Sequence, residues 1–364
     1  MKISMIGLKD LPLNAASGGI ERHVDELSSR LVKLGHAVTC YVRASTGPSS
    51  YNGITLKRLP FINTRSLATL SHTLLASIAV LFTDADVVHY HGVGPATLAW
   101  IPRLFKPRAK VIVTFHSLDR FHQKWGPIAR AYLRFGEWAA VTYPHATIAV
   151  SHSIQRYCKE QFGAEAVYIP NGAKLTPYPG DDLLAQWGLV REGYFLMVTR
   201  LVRQKGVQYL IEAFDGFEKE KKLVIVGAGD PHDPYVEELR RMSEGNSAII
   251  FTGFLGRREI DQLNANAYLY VHPSEAEGLS VSILEAMAAG RAVLVSDIPE
   301  NVESIDHSGL TFVNTNVADL RAMIRELLNH PELVAERGAR AANWIRQEYD
   351  WDAIAKKTAS LYQA

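Results

Sequence analysis

Residues 272–297 read HPSEAEGLSVSILEAMAAGRAVLVSD, and their order of loop, helix and strand decides the fold. The Glu277-Gly278 pair sits in a short turn. Leu284, Met287 and Ala288 then recur at the spacing of one helical face, and Gly290 suits a left-handed helix end. The run AVLVS is apolar throughout rather than alternating, which predicts a strand buried on both faces of a parallel sheet. Two carboxylates stand out, with Glu277 in the loop and Glu285 about two turns further on the helix. The amides of Gly278, Leu279 and Ser280 are expected to point out of the helix N-terminus, where an anion or ligand oxygen is favoured. A lone Glu before a helix is ordinarily a cap. The second acid, the glycine approach and the buried strand together predict a ligand site.

Working outward, residues 194–199 form another apolar strand, followed by Arg200 and, across the turn, Lys205. Two cations flanking a strand-to-helix turn suit a diphosphate clamp. Residues 223–226 lead into Gly227-Ala228-Gly229, a glycine turn common to many nucleotide folds. Strands at 249–254, 269–274 and 309–313 and helices at 317–329 and 331–348 complete this half. The N-terminal half opens the same way. A strand at 3–7 leads to Gly18-Gly19, then to a helix with Val24, Leu27, Leu31 and Leu34 on one face, then to a strand at 37–42. The G-x-G-x-x-G fingerprint is absent, which counts against a nicotinamide dehydrogenase. Strands at 87–91 and 111–116 end in His91 and His116, at the edge where open α/β sheets place ligands. Asp84-Ala85-Asp86 precedes a strand, so it lies at the opposite edge and reads as a solvated connection. No cluster shows metal-ligand spacing, and no catalytic metal is expected.

Residues 277–287 resemble the E-x7-E motif of the retaining family-4 glycosyltransferases. These have the GT-B architecture of two Rossmann-like, doubly wound domains facing across a cleft. The resemblance extends over nearly the whole chain. It implies Glu277 on the donor sugar, Glu285 on the nucleotide ribose, and Arg200 and Lys205 on the diphosphate. Thr114-Phe115-His116 is similar to the family's T-x-H segment, which implies that His116 reaches the sugar. Gly18-Gly19 then approaches the donor phosphate, and residues 169–172, IPNG, mark the crossing between domains. The last segment, 351–362, is implied to return to the N-terminal domain. Arg291 stands where the family commonly has proline, and Ser280 where glycine or proline is frequent; both blur which sugar is carried.

The 364 residues suffice for two cores, and 47% hydrophobic with 21% charged residues describes an ordinary globular protein. The longest apolar run, 74–82, is about half of the roughly 18 residues a membrane span needs. Cys40 and Cys158 form no framework, which fits a reducing cytoplasm. The net charge of +1 hides an asymmetry, since residues 1–177 hold 20 Lys and Arg against 10 Asp and Glu, leaving 19 against 28 beyond them. Residues 120–138 interleave Arg120, Lys124, Arg130 and Arg134 with Phe121, Trp125, Tyr132, Phe135 and Trp138. Such a stretch either lies on an anionic membrane surface or grips a lipid-linked acceptor, or packs its aromatics inward behind a solvated basic face. No nucleic-acid module accompanies the charge.

The expected domains are 1–174 with 352–364, for an acceptor, and 175–351, for a nucleotide-sugar. The expected activity is metal-independent retaining transfer of a hexosyl or deoxyhexosyl group to a glycan or lipid-linked hydroxyl, in bacterial surface polysaccharide assembly. The location is cytoplasmic or peripheral on the inner membrane face, with no cofactor. A glycoside hydrolase also uses two carboxylates, and a non-catalytic binding protein of the same fold is the remaining alternative.

Overall fold

The computed structural model describes residues 1–14, 17–43, 46–64, 67–118, 120, 126–174, 179–230 and 233–364. They form two compact units, Met1–Asn171 with Trp351–Ala364, and Gly172–Asp350. The boundaries expected from the sequence were 174/175 and 351/352.

The first unit runs β1 (Lys2–Ile6), α1 (Gly19–Lys33), β2 (Ala37–Val42), β3 (Ser50–Tyr51), β4 (Ile54–Arg58), α2 (Ala68–Leu81), β5 (Val87–His91), α3 (Val93–Ala96), α4 (Trp100–Phe105), β6 (Lys110–Phe115), α5 (Pro127–Thr142), β7 (Ala146–Ala149), α6 (His152–Phe162) and β8 (Val167–Tyr168). Its eight strands are ordered β3-β4-β2-β1-β5-β6-β7-β8. Every pairing is parallel except β3 with β4. All five residues of β5 are buried, as a strand covered by helices on both faces requires. Val24, Leu27 and Leu31 of α1 enter the core, whereas Leu34 caps the helix and is 43% exposed. The sequence placed Leu34 on the buried face; the helix stops one residue short of it.

The second unit runs β9 (Tyr194–Val198), α7 (Val207–Phe214), β10 (Lys222–Val226), α8 (Pro234–Met242), β11 (Ile249–Gly253), α9 (Arg257–Asn266), β12 (Leu269–His272), α10 (Val281–Ala288), β13 (Val293–Ser296), α11 (Pro299–Ile305), β14 (Leu310–Phe312), α12 (Val317–Asn329) and α13 (Pro331–Glu348). Its all-parallel sheet is ordered β11-β10-β9-β12-β13-β14, the doubly wound arrangement that reverses between its first and fourth strands. The loops after β9 and β12 are therefore neighbours at the C-terminal edge, where such sheets bind ligands.

Helix α14 (Trp351–Gln363) returns to the first unit. Trp351, Ile354, Ala355, Ala359 and Tyr362 join the core beside Val24, Leu27 and Leu31. Arg30 Nε donates to Asp352 Oδ1 at 2.7 Å, and the Tyr362 hydroxyl lies 2.6 Å from His89 Nδ1.

The basic aromatic stretch turns two of its cations inward. Phe121, Lys124 and Trp125 lie outside the described residues. Arg120 and Arg134 turn inward to the fully buried Glu137, at 3.1 and 3.3 Å, and Tyr157 donates to the same carboxylate at 2.7 Å. Ile128, Phe135 and Trp138 are exposed. At the opposite edge, Asp84 pairs with the Lys2 ammonium and Asp86 accepts the Lys2 amide at 2.7 Å, so this acidic pair closes a strand end. Among the described residues, no helix is long and apolar enough to cross a membrane.

Candidate functional site

In the second unit, the neighbouring loops after β9 and β12 are tied together. The Glu275 amide donates to Gln204 O at 2.8 Å, and the Tyr209 hydroxyl to Glu275 Oε1 at 2.9 Å. Gly206, at φ +71°, closes the turn; a Cβ there would stand 1.9 Å from Pro273 O. Only glycine lets the loops approach this closely.

These ties deliver Lys205 to Glu277. The Lys205 ammonium donates to Glu277 Oε1 at 2.5 Å, and the last residue of β12, His272, reaches the same oxygen through Nε2 at 2.7 Å. The Glu277 side chain is 7% exposed. Burial alone raises its pKa, but the Lys205 charge and the His272 hydrogen bond outweigh that and hold the carboxyl well below the usual range. Burial also lowers His272 despite its acidic neighbour, so it donates as a neutral ring. The Tyr270 hydroxyl, 3.3 Å from Nδ1, orients it.

Gly278, Leu279 and Ser280 are buried and lead into α10, with Ser280 at its N-cap and no side-chain cap bond. Gly290 follows the helix at φ +74°, the left-handed residue expected there. Glu285 faces Arg257, at the start of α9, and the Arg257 Nε also holds Asp261 at 2.7 Å. Arg200 is exposed, and its guanidinium has no partner among the described residues. Gly227, at φ +134°, is packed so tightly that a Cβ would lie 1.7 Å from Thr199 O, which fixes the turn beside Arg200. Lys205, expected to face a ligand phosphate, is thus engaged with Glu277, and Arg200 is left, among the described residues, as an open cation of this edge.

In the first unit, Gly18 caps α1, and its amide donates to Glu21 Oε2 at 2.7 Å rather than pointing free; Gly19 begins the helix with open space around it. His116 is 7% exposed, and its Nε2 lies 3.2 Å from His91 Nδ1. His23, from α1, is stacked edge-on to His116 at 4.8 Å. The sequence reading found no metal-ligand grouping because these residues are far apart in the chain. Strands β1, β5 and β6 are adjacent in the sheet, and that adjacency brings the three together. Burial, reinforced by the neighbouring rings, holds His91 and His116 well below the ordinary histidine range.

The sequence reading missed His272, Arg257 and His23 as partners. His23 had a signal: it lies beside Val24, one turn before Leu27, on the buried side of α1. His272 also had one, as a polar residue ending an apolar strand. Arg257 had none, since only the fold sets α9 beside α10.

Two family models match the chain: Glycosyltransferase Family 4 over residues 17–176 and Glycosyl transferases group 1 over residues 183–344. The chain is 27% identical to a glycogen synthase of Mycobacterium tuberculosis, covering 100% of this chain and 95% of that protein. It is 26% identical to the GDP-mannose-dependent alpha-(1-6)-phosphatidylinositol monomannoside mannosyltransferase of the same organism, over 94% of each. Among solved structures, Anabaena HepE in complex with UDP-glucose superposes with a TM-score of 0.81 at 19% identity, covering 100% of this chain and 99% of the other. The neighbours of this kind have the GT-B fold, and the two parallel-sheet units place this chain with them.

Proposed function

From the premise that the chain belongs to the family-4 glycosyltransferases, we propose that it moves a hexosyl or deoxyhexosyl group from a nucleotide-sugar to a glycan or lipid-linked hydroxyl, with retention and without a metal. The observation that carries this reading is Glu277, ionised between Lys205 and His272 where the second sheet reverses its strand order. A permanently ionised, desolvated carboxylate suits the hydroxyls of a sugar. Arg200 and Lys205 offset the charge that gathers on the leaving diphosphate, and the N-terminus of α10 adds its dipole. Glu285, held by Arg257, takes the ribose hydroxyls. Gly227, Gly278, Leu279 and Ser280 line the donor side with backbone.

In the first unit, His116 meets the sugar undergoing transfer. Among the described residues, no side chain in the second-unit site is poised as a covalent nucleophile, since the ionised Glu277 is held by Lys205 and His272. A front-face route follows, in which the leaving phosphate oxygen takes the acceptor proton. That HepE binds UDP-glucose supports a nucleotide-sugar donor. A lipid-linked acceptor and a peripheral place on an anionic membrane, in surface polysaccharide assembly, draw support from apolar residues open to solvent. Phe82 just past α2 is 85% exposed, Leu104 and Phe105 on α4 are 64% and 66%, and Ile128 on α5 is 88%. Helices α2 and α4 pack on one another, which joins two of these patches.

A panel of UDP-, GDP-, dTDP- and ADP-sugars tests the reading by thermal shift and donor hydrolysis. One nucleotide at about 100-fold over its Kd adds about 2.7 kcal/mol through linkage. That gain is lost in Arg200→Ala and Glu285→Ala. No stabilisation by any of them would replace this reading with a non-catalytic binding protein.

A further inference from the structure

Sugar transfer as proposed calls on His116 alone of the clustered first-unit imidazoles and leaves His23 and His91 unused. We propose that His23, His91 and His116 bind a single borderline divalent cation, zinc in the first instance, at the point where the first sheet reverses its strand order.

One ring nitrogen from each of the three lies within 4.8 Å of the others. His91 Nδ1 and His116 Nε2 are 3.2 Å apart. Two nitrogens on a tetrahedral zinc, each at about 2.0–2.1 Å, stand about 3.3 Å from one another, so this pair is already at ligand spacing. His23 supplies the third. Its Nδ1 donates to Asn171 Oδ1 at 2.8 Å, which fixes the tautomer and leaves the lone pair on Nε2. That Nε2 is buried without a hydrogen-bond partner among the described residues, on a residue 3% exposed, an arrangement that costs free energy until something coordinates it.

The neighbouring rings sort themselves. His89 cannot join, because its Nδ1 faces the Tyr362 hydroxyl at 2.6 Å and its Nε2 faces Thr114 Oγ1 at 2.7 Å. His91 Nε2 is turned to Met5 Sδ at 3.4 Å, which directs Nδ1 inward. Burial keeps His23, His91 and His116 neutral near pH 7, the form that binds metal. Imidazole nitrogens select zinc, copper, cobalt and nickel over magnesium and calcium, which want oxygen. Three nitrogens leave a fourth position for water or an anionic oxygen. The group contains no carboxylate to offset the cation's charge. The affinity is therefore that of an exchangeable site rather than a structural one.

The test titrates chelator-stripped, full-length protein with zinc chloride at pH 7.5 by calorimetry, with magnesium chloride in parallel. One zinc binds with a Kd at or below about 10 μM, and magnesium does not bind. His23→Gln and His91→Gln each weaken zinc at least about tenfold. Asn171→Ala, which frees the His23 ring, weakens it by a factor near the low end of the roughly 10–100-fold range for outer-shell partners. Zinc-edge X-ray absorption reads three imidazole nitrogens at about 2.0 Å. Absence of binding overturns the proposal, as does full affinity in a folded His23→Gln variant or a spectrum with fewer imidazoles. If His91→Gln does not fold, His23→Gln and the spectrum decide. None of these readouts uses sugar transfer, so failure here leaves the proposed function standing, and failure there leaves this site standing.

Discussion

In the second sheet the reversal of strand order holds an acid between a lysine and a neutral histidine; in the first, four imidazoles crowd the corresponding edge. There His23, His89, His91 and His116 bond to Asn171, Tyr362, Thr114 and each other and, among the described residues, to no carboxylate. One site is built from charge and the other from neutral dipoles, on sheets of the same kind. A charged pair inside low dielectric keeps its ionisation over a wide pH range and answers a ligand of fixed charge. Neutral buried rings answer a hydroxyl or a metal, and acid disturbs them first.

The sharpest test of the charged half is Glu277→Gln, which keeps the volume and removes the charge. It lowers kcat by roughly 10²–10³-fold, the usual cost of losing one preorganised electrostatic contact. Wild-type turnover would remove Glu277 from the chemistry and dissolve the contrast. Next comes Gly227→Ala. With φ at +134° and a Cβ position 1.7 Å from Thr199 O, the turn must rebuild. A loss of about 3 kcal/mol is expected in urea melts, with the damage confined to the second unit.

Acid distinguishes the units directly. Burial lowers His23 and His72 to about 4 each, so between pH 6.5 and 4 the unfolded chain binds protons that the folded unit refuses. Stability is therefore full above about pH 6.5 and falls as pH drops, by up to about 3 kcal/mol for each ring. Asp25, raised by burial to about 6, and Asp10, also raised by burial, pull the other way, since their protonated forms favour the fold on the acid side; the buried histidines outnumber them. Glu277, being depressed, stabilises the second unit above its ordinary range near 4.5 and loses that contribution only below it. His272, lowered by burial, adds a smaller loss below pH 6.5. Hydrogen exchange at pH 7, 5.5 and 4.5 should show the first unit opening earlier. The reverse order would break the comparison. The smallest effect belongs to Arg257→Ala, which leaves Glu285 less constrained and weakens donor binding by several-fold, about 1 kcal/mol, in the same calorimeter.

Much of this was legible in the chain because both sheets are parallel and buried, so their strands read as apolar runs closed by glycine turns. Glu277 and Lys205 were found as chemistry-bearing residues, each at the end of a run. Their bond to one another was not, because it depends on β9 and β12 being neighbours although three helices and two strands separate them in sequence. The same adjacency hid the histidine cluster: strand ends showed His91 and His116, while His23 hides on a helix whose pattern reads as core. The basic aromatic stretch resisted for a different reason. Arg120 and Arg134 serve the buried Glu137, and composition cannot tell a cation that serves an internal acid from one that faces outward.

The return of α14 to the first unit has a temporal side. Residues 351–364 leave the ribosome only after the whole of the second unit, yet Trp351, Ile354 and Tyr362 belong to the first unit's core. The second unit is contiguous and can close as soon as its own strands are made. The first must wait, with the groove beside α1 unfilled, until its last helix arrives. Of the two units, the one whose chain emerges first is the one that finishes folding last.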